Sequence, residues 1–99
     1  MRIYVGTYTS GESKGIYRLR LDLASGALTA EGEPTAAVSP SWVVLHPHGR
    51  FLYAVNETGE TAADESGGVS AFAVDEASGA LTFLDGQPSD GAAPCHLSF

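Results

Sequence analysis

Ninety-nine residues are enough for one small domain, and with 43% hydrophobic residues but no long apolar run the chain lacks the about 18 consecutive apolar positions of a membrane helix. Twelve acidic against five basic residues give a formal charge of −7, so the cationic footprint that binds nucleic-acid phosphates or anionic membranes is missing. The single cysteine, Cys95, excludes an internal disulfide and any multi-cysteine zinc site.

Met1-Arg2 leads at once into the alternation Ile3-Tyr4-Val5, which predicts a strand in place of a secretory leader; with the lone cysteine this points to the cytoplasm. A second strand is expected over Ile16 to Leu21. Tyr17, Leu19 and Leu21 share one face of it, and Ile16, Arg18 and Arg20 the other. Ser25-Gly26 supplies a tight turn, the glycine taking a positive φ, before a strand from Leu28. Farther on, Trp42 to His46 and Phe51 to Asn56 read as strands joined by His46-Pro47-His48-Gly49-Arg50, in which Pro presets φ and Gly accepts a positive one. Val69 to Asp75 and a strand starting at Leu81 flank a second turn, Ser78-Gly79. No segment carries a helical period.

These elements repeat. Asp22-Leu23-Ala24-Ser25-Gly26-Ala27-Leu28-Thr29 recurs 53 residues later as Asp75-Glu76-Ala77-Ser78-Gly79-Ala80-Leu81-Thr82, with seven of eight positions identical. Pro40-Ser41-Trp42 aligns with Pro94-Cys95-His96 at an offset of 54, and Tyr4-Val5-Gly6-Thr7-Tyr8 with Tyr53-Ala54-Val55-Asn56-Glu57 at an offset of 49. The difference places four extra residues in the second copy, between Thr58 and Gly68. A period near 50 belongs to propeller blades. Each unit then has four antiparallel strands, A to D, and the fold is all-β, with about two blades present. Strands B–D of a first blade fill about 2–34, a second blade about 41–88, and the start of a third about 94–99. Leu19, Leu21, Phe72 and Val74 are expected between adjacent blades. Because the sequence stops within a strand, it reads as the N-terminal part of a single propeller domain; terminal repeats of an intact array would look like caps. Alone, the 99 residues are expected to be inactive and to self-associate through exposed strand edges.

Val5-Gly6-Thr7-Tyr8-Thr9, Gly15-Ile16-Tyr17, Leu52-Tyr53-Ala54-Val55-Asn56-Glu57, Gly67-Gly68-Val69 and Ser78-Gly79-Ala80-Leu81-Thr82 together resemble the bacterial 6-phosphogluconolactonase family of seven-bladed propellers, which also contains carboxy-muconate lactonizing enzymes. The resemblance runs along the whole chain but covers under a third of a ring. It implies a self-contained hydrolase opening 6-phosphoglucono-δ-lactone to 6-phosphogluconate in the pentose phosphate pathway, with a small sugar lactone as partner and no obligatory metal or organic cofactor.

In a propeller, strand A begins and strand B ends at the same mouth of the central channel. That rule gathers Tyr8, Ser41, Trp42, Asn56, Glu57, Cys95 and His96 on one rim and puts His46 and His48 on the other. Lactone hydrolysis needs a base for water, donors for the oxyanion and a cation for the phosphate. Glu57 and His96 are the titratable pair on the favoured rim. In the expected catalytic roles, His96 positions or deprotonates water and Glu57 orients it or binds substrate hydroxyls. The structural alternative is that Glu57 serves loop backbone donors and His96 is a hydrogen-bonded channel residue. Asn56, Tyr8, Trp42 and Lys14 are the substrate-binding candidates, against an Asx turn for Asn56, core packing for Trp42 and a solvated Lys14.

Cys95 is expected to be a buried structural thiol and no nucleophile. His46 and His48 are explained by their turn, and Glu57, Glu60, Asp64 and Glu65 by a solvated loop, so no metal site is expected. Arg2 and Arg50 start B strands on the far rim and Arg18 and Arg20 lie on strand C, which leaves the phosphate clamp to blades beyond this chain. Two other functions compete: a lactonizing isomerase, which would need channel arginines, and a non-enzymatic interaction platform.

Overall fold

The alternating runs become eight strands in the computed structural model, which describes residues 1–58 and 67–99. They are β1 (Arg2–Val5), β2 (Gly15–Leu21), β3 (Leu28–Ala30), β4 (Thr35–Ala36), β5 (Val43–Leu45), β6 (Phe51–Asn56), β7 (Gly68–Val74) and β8 (Leu81–Pro88). All pairings are antiparallel. β5-β6-β7-β8 forms a complete four-stranded blade, whereas in the first unit β1 and the β3/β4 edge flank β2. The longer loop of the second copy, with Glu60, Asp64 and Glu65, lies outside the described residues.

Each repeated octapeptide folds the same way. Asp22 Oδ1 accepts the backbone N–H of Ala24 at 2.9 Å, and Asp75 Oδ1 accepts those of Ala77 at 3.0 Å and Ser78 at 2.8 Å. Both turns close on a glycine in the left-handed region, Gly26 at φ 77° and Gly79 at φ 74°. The last strand of the first unit is split. Ala30 opposes Leu19 but Thr35 opposes Ile16, so residues 31–34 bulge out by two. Pro34 has no N–H to offer the ladder, and Gly32, at φ 69°, leaves its missing Cβ volume to the Arg18 guanidinium.

The two sheets stack through Ile16, Leu52, Ala54 and Phe72, all fully buried, with Tyr4, Val43, Val74 and Leu81 packed around them. Phe72 and Val74 therefore sit between the units as expected. The first unit answers them with its other face, the one carrying Ile16 and Arg18; Leu19 and Leu21 turn away. A stacked blade has two covered faces, and alternation alone does not say which of them meets the next copy.

The polar part of that stack is a joint. Tyr4 Oη donates to the Gly79 carbonyl at 2.7 Å, and Arg18 Nη1 to the Ser78 carbonyl at 2.7 Å. Glu31, carried on the bulge, pairs with Arg2 and Arg20 at 3.0 Å each. Hydrogen bonds from Arg2 and then Arg20, with their charges, bring the Glu31 carboxyl down to about 2. Residues 94–99 have no strand pairing. The Phe99 ring packs instead edge-on to His46 and Tyr53, centroids 5.0 and 5.7 Å apart.

Candidate functional site

β1 and β6 end side by side at one rim, and three short segments assemble there: 6–9, 38–42 and 56–58. Gly6 makes the approach close, since a Cβ at this position would lie 1.9 Å from the Pro40 carbonyl oxygen. Ser39 organises the junction in a left-handed conformation, φ 38°. Its carbonyl accepts the backbone N–H groups of Ser41 at 2.8 Å and Glu57 at 3.0 Å, and its own N–H donates to Thr9 Oγ1 at 2.9 Å. The next copy repeats the device: Ala93, at φ 51°, also precedes a proline and donates its N–H to the Thr58 carbonyl.

On this scaffold the phenol of Tyr8 donates to Glu57 Oε2 at 2.7 Å. The hydroxyls of Ser41 and Tyr8 hold the Glu57 carboxyl below the usual carboxylate range. Of the two, only the Tyr8 contact has the geometry of a well-formed hydrogen bond; Ser41 Oγ is buried and makes none. His96 is exposed and lies on Trp42, ring centroids 4.7 Å apart at 50°. Trp42 itself is 43% exposed. No hydrogen bond or ion pair joins Glu57 to His96 among the described residues.

Asn56 is tied into the frame. Its Nδ2 donates to the Val38 carbonyl at 2.8 Å and its Oδ1 accepts the Ser70 hydroxyl at 2.7 Å. Lys14 is exposed at the start of β2, where its backbone N–H donates to Tyr17 Oη at 3.1 Å. Cys95, expected to be buried, is exposed. It stands on the 94–99 segment, which no strand covers.

The opposite rim reads differently. The rings of His46 and His48 stack at 3.7 Å, and each Nδ1 faces a backbone N–H of the turn, His48 at 3.3 Å and Arg50 at 3.1 Å. A cleft of about 260 Å³ there is lined by Arg2, Tyr4, Leu45, His48, Asp75 and Glu76 and includes none of the candidate residues. Arg2 and Arg18 reach across to the second unit and Arg20 pairs with Glu31, and no arginine contact lies on the candidate rim among the described residues.

Sequence reasoning named Ser41 only as a rim residue and passed over Ser39 and Thr9. The signal for them lies in the repeat register: Ser39 and Ala93 both precede the repeated proline, and Thr9 and Thr58 hold the same place after strand B.

Three comparisons bear on this arrangement. The family model described as lactonase, 7-bladed beta-propeller matches residues 2–99. A 6-phosphogluconolactonase of Bacillus subtilis is 41% identical over 95 residues, 96% of this chain and 26% of its own length. The crystal structure of a candidate 6-phosphogluconolactonase of Bacteroides fragilis superposes with a TM-score of 0.87 at 38% identity, covering 99% of this chain and 26% of that one. The periplasmic gluconolactonase of Pseudomonas aeruginosa gives 0.82 at 30% identity, over 94% of this chain and 26% of that one. The chain thus spans about a quarter of the relatives it matches.

Proposed function

Because the chain belongs to the seven-bladed β-propeller lactonase family, we propose that it forms the opening blades of a lactone hydrolase that converts 6-phosphoglucono-δ-lactone to 6-phosphogluconate. The single observation that supports this reading on the chain itself is that equivalent positions of neighbouring repeats meet, Tyr8 with Glu57 and Trp42 with His96. Residues 2–34 and 41–88 are the first two wedges of the ring and residues 94–99 the start of the third.

The chemistry divides among these groups. His96 takes a proton from water as its oxygen attacks the lactone carbonyl. Collapse of the tetrahedral intermediate breaks the ring C–O bond, and the proton returns to the leaving ring oxygen, which becomes a hydroxyl. Glu57 accepts hydrogen bonds from substrate hydroxyls. Tyr8 and Trp42 border the approach, Asn56 holds the rim in shape and presents the rest of its amide, and Lys14 is the cation of this rim nearest in sequence to it. The phosphate clamp comes from later blades. The exposed, unpaired Cys95 suits a reducing, cytoplasmic compartment.

Hydrolysis of 6-phosphogluconolactone by the full-length protein, followed as acid release, tests the reading. Turnover of a carboxy-muconate in place of the lactone would replace it with the isomerase, and silence with both substrates would leave an interaction platform.

A further inference from the structure

Glu57 has an unusual neighbour for a carboxylate. Its side chain is held by a neutral phenol, with no cation among the described residues that touch it. Tyr8 comes from the loop after β1, so the donor approaches from the preceding repeat. The Glu57 backbone is pinned at the same time, its N–H on the Ser39 carbonyl at 3.0 Å. Main chain and carboxyl are therefore both held. Tyr8 is itself 57% exposed, which means that its phenol reaches Glu57 across the surface of the rim and not through a packed core.

We propose that Tyr8 is a positioning residue that holds the Glu57 carboxylate, so that it meets the substrate as a fixed anion and acceptor and takes no proton during the reaction. Proton transfer then belongs to His96 alone. A carboxylate that served as base would need a value raised toward the working pH by burial or by a like charge. Glu57 has a donor in their place. One hydroxyl donor on Oε2 also leaves the rest of the carboxylate to accept from vicinal hydroxyls of a sugar ring. This assignment rests on the lactonase reading, but its first test does not.

That test is a carbon NMR titration of the full-length protein with labelled glutamate side chains, the Glu57 resonance identified by its loss in Glu57→Gln. Glu57 is expected to titrate below the ordinary glutamate range. Tyr8→Phe, which keeps the ring and removes only the hydroxyl, moves the midpoint up. Because the donor is neutral, raising salt from about 0.05 M to about 1 M leaves the midpoint in place, where a cation pair would be screened. An unchanged midpoint in Tyr8→Phe overturns the proposal, whether or not the protein hydrolyses lactone.

If lactone is hydrolysed, kinetics supply the second readout. Tyr8→Phe raises KM about tenfold with kcat within about twofold, and the acid limb of the kcat/KM profile stays where it is. An acid limb that moves with the Glu57 midpoint would make Glu57 the base and refute the division of roles.

Discussion

The Tyr8 phenol and the Glu57 carboxylate, 49 residues apart, meet at 2.7 Å because they hold the same place in successive repeats. Trp42 and His96, 54 residues apart by their numbers, repeat the relationship one strand earlier. Equivalent positions in stacked blades are far apart at the outer edge and converge at the rim of the channel. A mouth built this way turns sequence repetition into neighbouring side chains, and changes of residue type at one repeat position become a mixed site.

Replacing His96 by alanine in the full-length protein should lower kcat/KM by about 10²- to 10⁴-fold, the usual worth of a positioned general base. Steady-state assays of lactone hydrolysis check this. Turnover at the wild-type rate removes His96 from the chemistry and leaves it a ring stacked on Trp42.

Acid should loosen the joint between the units. Glu31 has a folded value of about 2, depressed by Arg2 and then Arg20, against an unfolded value of about 4.3. A lowered carboxyl value means that its contribution is complete above about pH 4.3 and disappears as pH falls through about 2. Denaturant midpoints measured between about pH 6 and about pH 2 should fall across that window in the wild type and less steeply in Glu31→Gln.

The stacking face can be tested by two truncations on one strand. Ile16→Ala empties a fully buried position and is expected to cost about 2–5 kcal/mol in urea unfolding of the complete ring. Arg20→Ala, at an exposed position two turns of alternation away on the same face, should change stability by no more than about 1 kcal/mol. Equal effects would mean that Ile16 is not at the centre of the contact.

Ala93 adopts φ 51°, a conformation that costs a residue with a Cβ about 1–2 kcal/mol and glycine almost nothing. Ala93→Gly should therefore raise stability by about 0.5–1 kcal/mol. The equivalent Ser39→Gly relieves the same strain but removes the Ser39 hydroxyl that accepts the Thr9 N–H at 3.2 Å, so it should gain less. Thermal melts of the two variants compare them directly.

Much of this architecture was legible because its signals are local. Phe51 to Asn56 is a strand with the expected bounds, and the Ser-Gly turns carry glycine at positive φ where the octapeptide put them. What stayed hidden depends on partners distant in the chain. The bulge at 31–34 has its reason in Arg18, Arg2 and Arg20, and the choice of the Ile16 face has its reason in Phe72 and Leu52. Repeat register relates Tyr8 to Glu57, but their contact requires the twist between blades, which no period reveals.

The joint between the units has one further consequence. Tyr4 and Arg18 address carbonyl oxygens of residues 78 and 79, which every amino acid possesses. Only the shape of the turn must persist, through Asp75 and Gly79, while the remaining side chains drift. A coupling that recognises main chain is indifferent to which copy it meets, and so lends itself to gene duplication: a new wedge fits its neighbour on arrival, before any surface has had time to adapt.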